Sequence, residues 1–249
     1  MIYIFETKDY ELWQGDCLKL MSNIPEKSVD MILCDLPYGT TACKWDIVIP
    51  FEPLWKEYNR VIKDNAAIVL FGSEPFSSHL RLSNLKMYKY DWVWDKHMPR
   101  NFINAKIMPM QKHENIMVFN CKGKTNYHPQ MEKRDKPVKV KNYAKKNGNS
   151  VYNLNNNGSD DVERTYEYKY PDTIIIGKWE ANKGKIHPTQ KPVSLLEYLI
   201  KTYTNEGDLV LDNCMGSGST GVACINTRRK FIGIELDENY FNIAKSRMA

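Results

Sequence analysis

Apolar and polar positions along the chain fall into two regimes. At both ends, short apolar runs alternate with stretches whose apolar residues recur every three or four positions, the signature of strands interleaved with amphipathic helices. The run Val29-Asp30-Met31-Ile32-Leu33-Cys34 reads as a strand ending at Asp35, and Ala66–Phe71 as a second one stopped by Gly72. Between them, Leu54, Trp55, Tyr58, Val61 and Ile62 predict a helix over Pro53–Lys63. Tyr90–Trp94 and Asn115–Phe119 read as strands that pair near a sheet edge. After Pro192, Leu195, Leu196, Leu199 and Ile200 mark a helix; strand Asp208–Leu211, helix Ser219–Ile225, strand Lys230–Ile234 and helix Glu238–Arg247 follow. From about 121 to 185 the periodicity is lost, and runs such as Asn155-Asn156-Asn157-Gly158-Ser159-Asp160 are turn chemistry with little to bury.

This alternation predicts an α/β fold. Its 249 residues suit one domain carrying an insertion, and no apolar run is long enough to span a membrane as a helix. The six cysteines form no CxxC pair, which predicts reduced, cytoplasmic thiols and no structural metal. The net charge of +5 is unevenly spread. Lys122, Lys124, Lys133, Arg134, Lys136, Lys139, Lys141, Lys145 and Lys146 crowd one segment opposed only by Glu132 and Asp135, leaving the rest of the chain net acidic. Such a segment reads equally as a solvated loop or as a face for a polyanion; Tyr127, Tyr143 and Tyr152 tilt it toward nucleic acid, since flat rings stack on bases.

Two motifs carry chemistry. Strand Leu209-Val210-Leu211 runs into Asp212-Asn213-Cys214-Met215-Gly216-Ser217-Gly218-Ser219-Thr220-Gly221, inside which a helix begins. Glycines there let the backbone approach a ligand and expose the helix's free N–H groups. Glu235, ending the next strand, is placed to bind ribose hydroxyls. The context predicts a nucleoside-cofactor site. Asp212 repels a pyrophosphate and suits a cationic sulfonium, which favours S-adenosylmethionine over a nicotinamide dinucleotide. The second motif, Asp35-Leu36-Pro37-Tyr38, lies at the carboxyl end of a strand, where open α/β sheets bind ligands. An exocyclic amino nitrogen becomes a nucleophile when its hydrogens are held by acceptors. Asp35 and the Pro37 carbonyl suit that task, and Tyr38 suits stacking on an extruded base.

With these residues in view, nearly the whole chain resembles the permuted, β-class DNA amino-methyltransferases. Asp35-Leu36-Pro37-Tyr38 is similar to that family's Asp-Pro-Pro-Tyr motif, with Leu36 in place of a proline. Asp212 to Gly218 is similar to its S-adenosylmethionine motif, with Cys214 and Met215 as departures. Gly15-Asp16 resembles the segment that contacts the cofactor's adenine, and His187-Pro188-Thr189-Gln190-Lys191-Pro192 the segment beside its methionine moiety. Gly233-Ile234-Glu235 resembles the ribose-binding motif, and His113-Glu114 a further recurrent pair.

The resemblance implies a Rossmann-like, mostly parallel seven-stranded sheet with an antiparallel edge strand. It also implies a catalytic part (1–120), an inserted target-recognition region (121–185) and a cofactor part (186–249). Asp35, Pro37 and Tyr38 would be catalytic. Asp16, Asp35, Lys191, Asp212, Gly216, Gly218 and Glu235 would hold S-adenosylmethionine, and the basic cluster would face double-stranded DNA. Asp35 points to adenine N6, where Ser in its place usually accompanies cytosine N4. Homodimers and companion restriction endonucleases occur in the family, and neither is readable here. A nicotinamide-dependent oxidoreductase leaves Asp35 and the basic segment unexplained, and a catalytically inactive nucleic-acid binder leaves the cofactor loop without use. C5-cytosine methylation lacks its Pro-Cys, and a zinc protease lacks the second His of HExxH.

Overall fold

The computed structural model describes residues 3–40, 46–141, 163–176 and 190–249. Trp45, Tyr143, Lys145, Lys146, Tyr152 and His187 to Thr189 lie outside the described residues. The chain divides into two compact units, one of residues 1–128 with 173–249 and one of residues 129–172.

The larger unit begins with β1 (Tyr3–Glu6), β2 (Tyr10–Gln14), α1 (Cys17–Leu20), β3 (Val29–Cys34) and α2 (Phe51–Val61). It continues through β4 (Ile62–Gly72), α3 (Phe76–Ser83), β5 (Tyr88–Arg100) and β6 (Gln111–Asn120). The smaller unit holds β7 (Glu132–Lys141) and β8 (Glu163–Lys169). The chain then returns through β9 (Ile174–Ile176), α4 (Val193–Tyr203), β10 (Leu209–Asp212), α5 (Ser219–Asn226), β11 (Lys230–Glu235) and α6 (Glu238–Met248).

The larger unit's strands make a nine-stranded sheet in the order β1-β2-β11-β10-β3-β4-β6-β5-β9. Its centre is parallel from β2 to β4, β6 runs antiparallel between β4 and β5, and β1 is an antiparallel edge. The seven-stranded expectation is therefore exceeded by two, while the α/β architecture holds. β9 falls within the stretch expected to be inserted, yet it pairs with β5 in the main sheet.

Period-two alternation explains why both faces of the sheet are covered. Met31 and Leu33 of β3 pack with Leu195, Leu199 and Phe241 from α4 and α6, whereas Ile32 and Cys34 pack with Leu54, Tyr58 and Phe76 from α2 and α3. A strand buried on both faces reads as an unbroken apolar run, which made β3, β4 and β11 visible in the sequence. α2 buries Leu54, Trp55, Tyr58 and Val61 and keeps its other face polar. Among the described residues no helix is long and apolar enough to cross a membrane.

The smaller unit differs from the turn-rich stretch expected of it. β7 and β8 pair antiparallel, with Glu132 opposite Lys169 and joined to it by an ion pair of 2.9 Å. The first half of β7, Glu132-Lys133-Arg134-Asp135-Lys136, has no apolar residue, and the alternation of Val138 and Val140 that follows is too short to mark a strand.

Candidate active site

Because β3 pairs parallel with β10, and β10 with β11, the carboxyl ends of strands from opposite ends of the sequence lie side by side. Asp35, Asp212 and Glu235 therefore reach one cavity of about 890 Å³, together with Asp16, Gly216, Pro37, Tyr38 and Lys191.

The glycine loop is organised from below. Asp212 is buried, and its oxygens accept from the Cys214 backbone N–H at 3.1 Å and the Thr220 hydroxyl at 2.6 Å. Burial, only partly offset by these donors, pushes its carboxyl up to about 6. Glu235 accepts from the N–H of Gly216 and of Asp237, each at 2.8 Å, and burial raises its pKa as well. Buried Asn213 accepts from Tyr58 of α2 at 2.5 Å, tying the loop to the helix layer beneath. Gly216 lines the cavity with φ +52°, a conformation other residues adopt at a cost, and the space its side chain would enter is open. Gly218 does not line the cavity. A Cβ there would sit 2.9 Å from that of Ala244, so this glycine permits the close approach of α5 to α6. Asp16 is exposed at the rim and caps α1 by accepting from Leu18 N–H at 2.9 Å.

Beside this acidic floor stands a compact cluster of ionisable groups. The Lys191 ammonium donates to Asp35 Oδ2 at 2.5 Å and pairs with Glu114 Oε1 at 2.9 Å. Lys96 pairs with the other Glu114 oxygen. The Tyr38 hydroxyl lies 2.6 Å from Asp35 Oδ1 and 2.7 Å from Glu114 Oε1, one hydrogen between two carboxylate oxygens. Its ring stacks on Phe76 at 4.9 Å, so one face is already covered. The loop that follows is held by Asp46, which accepts from the Gly39 and Thr40 N–H groups at 2.9 Å. Burial alone would raise Glu114, but Lys191 and then Lys96 outweigh it and bring its carboxyl down to about 2. For Asp35 burial prevails: with Glu114 adding repulsion, its pKa rises despite Lys191. The Glu114 charge is thus fixed, and that of Asp35 is poised.

Lys191, expected beside the cofactor, is in this structure the counter-ion of Asp35 and Glu114. Glu114 carried no assigned role in its His113-Glu114 pair, and nothing in the sequence marked Lys96. Trp94, at the end of a predicted strand, is buried and also lines the cavity, and its indole N–H has no acceptor among the described residues. Those of the nine basic residues that the structure describes are divided between the two units. Lys122 and Lys124 belong to the larger unit, where Lys122 pairs with Asp64 at 3.7 Å. Lys133, Arg134, Lys136 and Lys139 belong to β7; Lys141 ends that strand, its side chain outside the described residues.

A DNA methylase family model of the N6/N4 type matches residues 29–246, which include both chemical motifs and the strands that join them. The chain belongs to this N6-adenine/N4-cytosine DNA methylase family. Among curated relatives, the Type II methyltransferase M2.MboI of Moraxella bovis is 26% identical over 97% of the chain and 88% of its own length. M.HpaI of Haemophilus parainfluenzae is 28% identical over 96% and 74%. The crystal structure of an M1.HpyAVI–SAM complex matches with a TM-score of 0.63 at 26% identity, covering 96% of the chain and 98% of that protein. The PvuII DNA methyltransferase, described as cytosine-N4-specific, matches with a TM-score of 0.67 at 16% identity over 98% and 87%, a likeness of fold.

Members of this DNA methylase family use S-adenosylmethionine, which sets the nicotinamide reading aside. The residues fit that cofactor. Asp16, Asp212 and Glu235 give the glycine-loop side of the cavity acidic groups suited to a cation and to ribose hydroxyls, and unsuited to a pyrophosphate.

Proposed function

We propose that this DNA methylase transfers the methyl group to the N6 amino group of adenine at a specific DNA site. The observation that carries the reading is Asp35 at the carboxyl end of β3, an aspartate rather than a serine at the acceptor position. Among the described residues its Oδ1 is reached only by a tyrosine hydroxyl that has a second acceptor in Glu114.

S-adenosylmethionine, when bound, supplies an electrophilic methyl. The chain's own residues prepare the nucleophile. An amino hydrogen arriving at Asp35 Oδ1 takes the place of the Tyr38 hydroxyl, which keeps Glu114 as its acceptor. The Pro37 carbonyl takes the second amino hydrogen, and the lone pair is then freed from the ring. Lys191 holds Asp35 in place through Oδ2, and its ammonium beside the acceptor offers a donor to the adjacent ring nitrogen. An amino group next to a bare ring nitrogen is the edge of adenine and cytosine alike. Thymine, and guanine at its O6 and N1 edge, present a carbonyl beside an N–H and do not match this pair. Catalysis rests on alignment and preorganised acceptors, without a covalent enzyme intermediate. Asp16, Asp212, Gly216 and Glu235 form the cofactor side, and the basic strand β7 in residues 129–172 contributes to target recognition through phosphate contacts.

The test is nucleoside mass spectrometry after incubation with methyl-deuterated S-adenosylmethionine and unmethylated DNA of mixed sequence. Labelled N6-methyladenine is expected. Labelled N4-methylcytosine overturns the base assignment and leaves the acceptor chemistry standing, and cofactor binding without labelled DNA overturns both.

A further inference from the structure

The segment joining β5 to β6 exposes an unusual amount of apolar surface. Phe102 is 81% exposed, Ile103 94%, Ile107 82% and Met98 76%. Monomeric surfaces seldom leave such side chains contiguous unless they meet a partner. The segment is nevertheless ordered by its own polar framework. Asn101 takes φ +67° and its carbonyl accepts from Asn104 N–H at 3.1 Å, the Asn104 carbonyl accepts from Ile107 and Met108 N–H at 3.0 Å, and the Asn104 amide donates to Asn101 Oδ1 at 2.9 Å. The backbone is thus satisfied locally while the apolar side chains are turned outward.

Charge names the partner. Between Asp95 and Glu114 the sequence carries Lys96, Arg100, Lys106 and Lys112 and no acidic residue; Lys96 pairs with Glu114 and Lys112 with Asp95, while Arg100 and Lys106 make no ion pair among the described residues. Arg100 and Asn101 at the loop's start and Gln111 at its end line the same cavity as Asp35. Two cations without carboxylate partners beside an apolar tip suit a phosphate backbone with a base stack between its strands. Withdrawing one base leaves a void in that stack, and apolar side chains fill such voids in proteins that kink or open duplexes.

We infer that this loop is a DNA-contacting element separate from β7, whose tip, Phe102 and Ile103, enters the duplex where the target base is withdrawn. Arg100 and Lys106 grip the flanking phosphates. The inference needs a DNA methylase that extrudes its base and holds whether that base is adenine or cytosine.

The double substitution Phe102→Ser with Ile103→Ser tests it, since neither side chain is packed and folding should be unaffected. Total labelled methyl transfer is measured on two duplexes carrying the mapped target site, one fully paired and one with an abasic position opposite the target base. The expected result is a roughly 10–100-fold loss of kcat/KM on the paired duplex, the scale of a few kcal/mol of unstacking, with most of it recovered on the abasic duplex. Equal loss on both duplexes, or none on either, overturns the assignment. Sedimentation of the protein without DNA guards the remaining route: a wild-type dimer that the substitutions turn into a monomer would give the patch to a second copy of the chain and overturn it too. Because the readout is total methyl, a cytosine product would sink the adenine reading and leave this test intact.

Discussion

Replacing Lys191 by methionine removes one charge and keeps nearly the same volume, so its consequences follow from electrostatics. The ammonium lies 2.5 Å from Asp35 Oδ2 and 2.9 Å from Glu114 Oε1. At the effective dielectric of about 20 that suits such sites, each ion pair is a Coulomb attraction of roughly 6 kcal/mol, most of it offset by the cost of taking the ions out of water. Breaking a buried ion pair by removing one partner typically costs about 3–5 kcal/mol, because the remaining charge is stranded. Here the stranded charges are two carboxylates sharing one tyrosine hydrogen. Glu114 keeps Lys96 and stays ionised. Asp35 has no other cation among the described residues, its pKa is already raised by burial, and it relieves the repulsion by taking a proton. At about 1.4 kcal/mol per pH unit, roughly 3 kcal/mol moves its titration up by about 2 units. A protonated Asp35 accepts the amino hydrogen poorly, so the acid limb of the kcat profile should shift upward by about that amount. Where both enzymes lie on their acid limbs, turnover should fall by up to about 100-fold, the ratio a 2-unit displacement sets, and the loss should shrink as the pH rises. Initial rates of labelled methyl transfer from about pH 6 to 9.5 measure this, and calorimetry without DNA measures cofactor affinity, which should change only a few-fold. A profile that keeps its shape while losing height would refute the poising of Asp35. A loss confined to cofactor affinity would return Lys191 to the methionine contact its motif implies.

Four further outcomes are expected. Asp35→Ala should cut turnover by about 10²–10⁴-fold while calorimetric cofactor binding persists; loss of binding alone would contradict its acceptor role. Asp212 has a folded pKa of about 6 against an ordinary 3.8, so folding favours its protonated form. Its contribution is fully present below about pH 4 and is lost as the pH rises through about 6, roughly 3 kcal/mol in all. Asp212→Asn should therefore be more stable than the wild type at pH 8 and not at pH 4 in denaturant melts, and the increase of cofactor affinity with pH around 6 should vanish with it. Gly218→Val must force a side chain against Ala244 at φ +77° and should destabilise by at least about 2 kcal/mol, seen as a lowered Tm. Replacing Lys133, Lys136 and Lys139 by Gln should lower the slope of log Kd against log salt by about 0.9 for each phosphate no longer neutralised; an unchanged slope would exclude β7 from the DNA face.

What could be read in advance follows from where the information lies. β3, β10 and β11 are short runs buried on both faces, and their carboxyl ends deliver Asp35, Asp212 and Glu235, so local pattern sufficed for the floor of the site. β2, Tyr10-Glu11-Leu12-Trp13-Gln14, alternates too briefly to stand out, although its pairing with β11 places Asp16 at the rim. The link from Lys191 to Asp35 joins residues far apart in the sequence and exists only once β3 and the segment before α4 are brought together. Glu114 sits on an antiparallel strand whose apolar run, Asn115–Phe119, overshadows the carboxylate just before it. Gly218 meets a packing requirement that its motif letter does not reveal, the close approach of α6.

The β3–β10 pairing has a consequence for how the molecule comes into being. As the chain leaves the ribosome, β3 and β4 emerge early, but the strand that completes the other side of β3 lies beyond residue 208. Until then one edge of a largely apolar strand has no neighbour, and the layer of α4, α5 and α6 that covers Met31 and Leu33 does not yet exist. Nascent chains of this arrangement hold an open, adhesive sheet edge through most of their synthesis, and closing it is a long-range, hence slow, event. A premature stop anywhere before β10 leaves that edge permanently open, so truncated products should aggregate or be degraded rather than persist as partial enzymes.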